Sequence, residues 1–191
     1  MRVISGSAKG RRLKVPADSE IRPTSDKVRS ALFNILHVSA DGPDLVGARV
    51  LDLFAGTGSL GIEALSRGAR HATFVEKDKR IAETLAINLL TTKFSAQATL
   101  LVRDAEALPK PVLEGPYDLV FVDPPYASVA SSRVIGALGS LLAPGGVAIV
   151  EHSFDGPPAT PEGLVAADVR RYGSTGVTFF RLAAEGAKDH A

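Results

Sequence analysis

Apolar positions along this chain follow two alternating rhythms. Between residues 48 and 151, short runs that are almost wholly apolar alternate with longer stretches that are apolar at every third or fourth position. The runs 48–54, 72–76, 99–103, 118–122 and 147–151 read as strands, and the stretches 59–67, 79–92 and 129–142 read as helices. Gly68 stops the first helix, and the second turns Ile81, Leu85, Asn88 and Leu89 inward. Pro144-Gly145-Gly146 turns the chain into the last of these strands. Strands without a polar face, alternating with helices, predict a parallel sheet covered on both sides.

The two ends read differently. Residues 2–5 and 11–15 alternate weakly around Gly6 and Gly10, which predicts a short hairpin. Arg22-Pro23-Thr24 introduces a helix, with Thr24 or Ser25 as its cap and Asp26 in its first turn. Val28, Ala31, Leu32, Ile35 and Leu36 form its apolar stripe, and Asp41-Gly42-Pro43 marks the loop that follows. Residues 156–163 hold three prolines and two glycines, so they should form no helix. Residues 165–172 and 177–182 predict a closing antiparallel hairpin, and residues 183–191 a frayed tail.

These elements predict an α/β fold: a doubly wound, mostly parallel sheet of about seven strands, closed by an antiparallel hairpin. A small basic hairpin–helix extension precedes it. The expected segments are a basic arm over residues 1–23, a catalytic domain over 24–183 and a tail over 184–191.

Composition narrows the class. The chain has 191 residues, 45% of them hydrophobic, which suits one compact domain. It has no cysteine, which excludes disulfides, thiolate metal sites and cysteine nucleophiles. No apolar run reaches the roughly 20 residues that span a bilayer, and the start turns polar too early for a secretory signal. The expectation is a cytoplasmic monomer that binds neither membrane nor metal. The net charge of +1 conceals an asymmetry. Eight of the 22 basic residues and three of the 21 acidic ones fall within residues 1–29, a local +5 against −4 elsewhere. Lys9, Arg11, Arg12, Lys14, Arg22, Lys27 and Arg29 are therefore candidates for contacting a polyanion rather than for building the core. A solvated surface segment is the alternative reading.

Candidate chemistry sits at the ends of the predicted strands. Gly56–Gly61 has the G-x-G-x-x-G spacing of dinucleotide-binding folds, follows a strand and opens a helix. Glu76 ends the next strand, where an acid would hold ribose hydroxyls. Asp52 chooses between ligands. A carboxylate there would repel a pyrophosphate but suits the sulfonium and ammonium of S-adenosylmethionine. Asp104 follows the third strand, placed to accept from an adenine amino group, with the Ala105 backbone beside it. The candidate cofactor residues are Asp52, Phe54, Ala55, Gly56, Thr57, Gly58, Glu76, Lys77, Asp104 and Ala105.

The fourth strand runs directly into Asp123-Pro124-Pro125-Tyr126. In an open α/β sheet the ligand crevice lies beyond the strand ends where the strand order reverses, between the first and fourth strands in the usual order. The lone pair of an exocyclic amine on an aromatic base is delocalised into the ring. Two acceptors aimed at its hydrogens, the Asp123 carboxylate and the Pro124 carbonyl, favour a pyramidal nitrogen. The prolines hold those acceptors rigidly, and Tyr126 offers a stacking face. This pattern points to amino-nitrogen methylation without specifying the amine.

Arg22-Pro23-Thr24-Ser25-Asp26-Lys27-Val28-Arg29, the 52–61 loop, Phe74-Val75-Glu76 and the 123–126 tetrad, in this order, resemble the bacterial 16S ribosomal RNA guanine-N2 methyltransferases. The resemblance covers residues 1–182. It implies the Rossmann-like methyltransferase fold, with S-adenosylmethionine as methyl donor and S-adenosylhomocysteine as product. It further implies methylation at N2 of one guanine in 16S ribosomal RNA, within the small subunit or an assembly intermediate. Asp123, Pro124, Pro125 and Tyr126 would then meet the target base, while Lys9, Arg11, Arg12, Lys14, Arg22, Thr24 and Lys27 would grip RNA. The proline-rich 156–163 segment departs from the pattern, where such folds commonly place a helix. Three other readings share some of these residues: methylation of DNA adenine or protein glutamine, an NAD-dependent dehydrogenase, and a catalytically silent RNA-binding module.

Overall fold

Runs that are apolar at every position form the middle of a sheet in the computed structural model, which describes residues 1–16, 26–38, 44–107, 115–124 and 132–184. Among the described residues the strands are β1 (Arg49–Asp52), β2 (His71–Glu76), β3 (Ala98–Val102), β4 (Tyr117–Val122), β5 (Leu142–Ser153), β6 (Leu164–Tyr172) and β7 (Thr175–Leu182). They form one sheet in the order β3-β2-β1-β4-β5-β7-β6. β1 to β5 are parallel, and β7 runs antiparallel to both β5 and β6. The doubly wound sheet with its closing hairpin is thus the one the pattern predicts. Residues 156–163 form no helix, also as expected.

Helices α1 (Asp26–Val38), α2 (Ser59–Ser66), α3 (Lys79–Thr92) and α4 (Ser132–Leu141) cover the two faces. Successive strand residues point to opposite faces, so β4 sends Leu119 and Phe121 to one core and Val120 and Val122 to the other. The first core is covered by α1, α2, α3 and the amino-terminal hairpin, the second by Val134, Ile135, Leu138 and Leu141 of α4.

Three details depart from the pattern. On α1 the buried side chains are Arg29, Leu32, Phe33 and Leu36, whereas Val28, Ala31 and Ile35 are only half-buried. The helix is rotated toward Phe33, which meets Phe121 at 5.8 Å between ring centroids. A stripe counted through apolar letters alone passes over Arg29, whose guanidinium is fully buried and donates to the Arg2 carbonyl at 2.6 Å. Arg29 is therefore a core residue and leaves the set of polyanion candidates. β5 begins at Leu142 rather than 147. Tyr117 pairs with Leu142 and Leu119 with Val147, so Pro144-Gly145-Gly146 forms an irregularity inside the strand instead of a turn before it. β1 ends at Asp52, where the chain turns out of the sheet toward α2.

The hairpin forms as predicted, with Arg2 bridging Arg12 and the Val3 N–H donating to the Arg11 carbonyl at 2.9 Å. It is not a loose arm. Val3, Ala8 and Leu13 are buried in the first core. The Glu63 carboxylate on α2 accepts from the Ile4 and Ser5 N–H groups at 2.7 and 3.0 Å, and the Ala8 N–H donates to the Ser66 hydroxyl at 3.0 Å. Removing residues 1–20 would uncover that core, so point substitutions are the informative test of its charges.

Candidate active site

Because β1 lies between β2 and β4, the strand order reverses at β1 and β4, and the crevice opens beyond their carboxyl ends. Asp52 pairs with Phe74 on one side and Phe121 on the other. Glu76 and Asp123 therefore each lie two residues past the register of Asp52, on opposite sides of it. The loop remains stitched to both neighbours: the Leu53 N–H donates to the Phe121 carbonyl and the Ala55 N–H to the Val75 carbonyl, both at 3.0 Å.

Asp52 is 1% exposed. Its Oδ2 accepts from the Gly61 N–H at 3.1 Å, while its Oδ1 is buried with no partner among the described residues. Burial raises its pKa to about 7; the Gly61 bond opposes the rise, and the charges of Asp123 and Glu76 add to it. The three carboxylates thus share one crevice. Glu76 accepts from the Gly56 N–H at 2.9 Å through Oε2 and from the Asp78 N–H at 2.8 Å through Oε1. Two backbone donors fix the carboxylate and leave lone pairs on both oxygens for a ligand.

The loop between them requires glycine. Gly56 and Gly58 have φ of 53° and 86°, and a Cβ on Gly61 would lie 2.3 Å from the Phe74 ring, where α2 crosses β2. Phe54 is half-buried, Ala55 and Thr57 are buried, and Lys77 is exposed. Asp104 is exposed, two residues beyond the Glu76–Val102 pair, and its Oδ1 accepts from the Glu106 N–H at 3.0 Å. Ala105 beside it is half-buried against the second core.

Asp123 and Pro124 leave β4 half-buried at the crevice. Pro125 and Tyr126 lie outside the described residues, as do Arg22 and Thr24; the backbone of Lys27 is in α1 and its side chain is outside them. Lys9, Arg11, Arg12 and Lys14 are exposed on the hairpin. The Arg11 guanidinium donates to the Thr91 carbonyl at 2.7 Å, at the carboxyl end of α3, where a cation is favoured. The side chains of Lys9, Arg12 and Lys14 carry no partner among the described residues. Two polar residues escaped the sequence reading in their roles. Glu63 anchors the hairpin, and Asn88, expected only to face inward, bonds to both the hairpin and the loop over residues 52–61. A polar residue within the buried stripe of a helix was the available signal for both.

A family model described as conserved hypothetical protein 95 matches residues 1–181. The chain belongs to that family. The curated relative named "Putative rRNA methyltransferase YlbH", from Bacillus subtilis, is 39% identical over 186 residues, covering 95% of this chain and 98% of that one. Ribosomal RNA small subunit methyltransferase D of Escherichia coli K12 is 35% identical over 193 residues, covering 99% and 93%. Among solved structures, "Putative methyltransferase yhhF" of Escherichia coli superposes with a TM-score of 0.81 at 34% identity, covering 97% and 99%. The chain thus shares the whole-length architecture of methyltransferases.

The described residues fit S-adenosylmethionine. Asp52 presents a buried, unsatisfied carboxylate oxygen that a cationic ligand would satisfy and a pyrophosphate would not. Glu76 could hold ribose hydroxyls through the lone pairs its two backbone donors leave free. Glu76→Ala should weaken cofactor binding about tenfold or more, the scale of a lost charged hydrogen bond. Titration calorimetry checks this, and unchanged affinity would remove Glu76 from the site.

Proposed function

We propose that this S-adenosylmethionine-dependent methyltransferase modifies the exocyclic N2 of a guanine in 16S ribosomal RNA, in the small subunit or an assembly intermediate. The observation that carries this reading is the position of Asp123-Pro124. They follow β4, with Asp123 two positions beyond the register of Asp52, whose buried Oδ1 has no partner among the described residues. Relatives that match nearly the full chain are named for ribosomal RNA, three of them for the small subunit, which supports the choice of polymer.

When bound, S-adenosylmethionine supplies a methyl carbon made electrophilic by its sulfonium. The protein's part is orientation, which can contribute roughly 7–11 kcal/mol to lowering a barrier. The Asp123 carboxylate and the Pro124 carbonyl accept the two amine hydrogens and leave the nitrogen lone pair aimed into the crevice. Pro124 has a fixed φ and Pro125 restricts the residue before it, which limits the spread of those acceptors. Tyr126 gives the base a ring to stack on, worth about 1–3 kcal/mol. As the nitrogen gains a methyl group it becomes acidic, and Asp123 or water takes its proton. Asp104 would hold the adenine amino group. A guanine N2 paired in a helix cannot enter this crevice, so the target should be unpaired or flipped out.

The exposed hairpin charges supply sequence-independent contact with phosphates. Replacing Lys9, Arg12 and Lys14 together by alanine should weaken RNA binding. If each meets one phosphate of a single strand, the log–log salt dependence should become shallower by about 2. Cofactor affinity measured without RNA should stay within about twofold of the parent. An unaltered salt slope would show these residues to be a solvated face. The polymer itself is tested by offering labelled cofactor with small subunits, naked 16S RNA, duplex DNA and bulk protein. Labelling of RNA or subunits is the expected result; labelling of DNA or protein alone would overturn the reading.

A further inference from the structure

Asn88 lies on α3 among Ala82, Leu85 and Leu89 and is 1% exposed. Its Oδ1 accepts from the Lys14 N–H at 2.7 Å. Its Nδ2 donates to the Lys14 carbonyl at 3.0 Å and to the Thr57 carbonyl at 2.9 Å. Flipping the amide would set its oxygen against two carbonyls and its nitrogen against an N–H, so the partners themselves fix its orientation. Both Nδ2 hydrogens are used.

The two chain segments joined here are otherwise distant in sequence. Thr57 lies between Gly56 and Gly58 in the cofactor loop, where both flanking glycines hold positive φ. Lys14 ends the strand of the basic hairpin that carries Arg11, Arg12 and the core anchor Leu13. Less than a turn further along α3, the Thr91 carbonyl holds the Arg11 guanidinium. Asn88 therefore ties the hairpin strand to the loop through three hydrogen bonds. An apolar residue at 88 would leave one N–H and two carbonyls without this partner, so packing alone does not account for an amide here.

We infer that Asn88 is a positioning residue through which RNA held on the hairpin and cofactor held in the loop strengthen each other's binding. The inference rests on the reading of the hairpin as an RNA contact. An RNA backbone on Arg12 and Lys14 immobilises the strand, which steadies Thr57 through the amide and leaves less of the loop for the cofactor to order. Linkage requires the reverse effect to be equal.

The test uses the whole chain, unmodified small subunits as the source of 16S RNA, and S-adenosylhomocysteine as a non-reacting cofactor probe. S-adenosylhomocysteine should bind the parent protein at least about fivefold more tightly with saturating RNA, and RNA should bind more tightly with the probe by the same factor. In Asn88→Ala, and in Asn88→Asp, which retains the acceptor for Lys14 but loses both donors, that factor should fall below about twofold while each ligand still binds alone. Thermal melts identify a variant that fails to fold, and the reciprocal measurement on the parent protein needs no variant. Absence of coupling in the parent, or coupling retained in a folded Asn88 variant, overturns the inference. If the Lys9/Arg12/Lys14 variant leaves RNA affinity untouched, the hairpin reading fails and this inference with it. If those charges matter but coupling survives at Asn88, only this inference fails.

Discussion

Asp123→Ala should bind S-adenosylmethionine about as well as the parent and turn over roughly 10²–10³ times more slowly, the usual scale for losing one oriented contact in a transition state. Asp123 lies beyond β4, outside the loop over residues 52–61, and its charge raises the pKa of Asp52. Removing it should, if anything, lower the pKa of Asp52 slightly and favour the cationic cofactor. Loss confined to kcat is therefore the signature of an acceptor that orients the amine, whereas equal loss of cofactor affinity would mark a general defect in the crevice. Tyr126→Ala should be milder, and Tyr126→Phe milder still, because stacking needs the ring rather than the hydroxyl. Single-turnover rates at saturating cofactor separate these cases. Near-normal turnover in Asp123→Ala would end the mechanism.

Asp52 carries the second large effect. Its folded pKa of about 7 lies above the ordinary 3.8. If the cationic ligand binds the ionised form, affinity should rise about tenfold per pH unit below 7 and level off above it. Binding near pH 6 should then release close to one proton, measurable by calorimetry in buffers of different ionisation heat. For stability the sign is opposite. A carboxyl whose pKa is raised on folding favours the folded state fully below the unfolded pKa, and that contribution fades as pH climbs from about 4 through 7. Asp52→Asn keeps an acceptor for the Gly61 N–H but cannot ionise. Its melting temperature relative to the parent should therefore rise across that window and then level off. Its cofactor affinity should fall by about ten- to a hundredfold at pH 8, the scale of a charged hydrogen bond. A flat affinity–pH profile in the parent would remove Asp52 from contact with the cationic ligand.

Much of this site is local in sequence, and that part was legible. The loop around Gly56 and Gly58 follows a strand and opens a helix, α3 keeps its expected limits, and β1 and β4 flank the switch point as the strand rhythm implied. The unread part rests on partners far apart along the chain. Periodicity counts apolar letters, so it could not place Arg29 inside, with its guanidinium on a carbonyl 27 residues away. Nor could it show that Glu63 and Ser66, two polar residues on a buried helix, exist to seat the hairpin 58 or 59 residues upstream. The irregularity at Pro144-Gly145-Gly146 was hidden for a related reason. Proline and glycine announce a change of direction, but only pairing with Tyr117 and Leu119 reveals that it occurs within a strand.

The most direct test of the proposed reaction is the identity of the nucleoside it makes. Unmodified small subunits treated with the protein and S-adenosylmethionine would be digested to nucleosides and analysed by mass spectrometry against authentic methylated standards. The account predicts N2-methylguanosine at a single position in 16S RNA, with its yield lost in parallel with turnover in Asp123→Ala. Methylation of a ring nitrogen or a ribose hydroxyl instead of an exocyclic amine would contradict it.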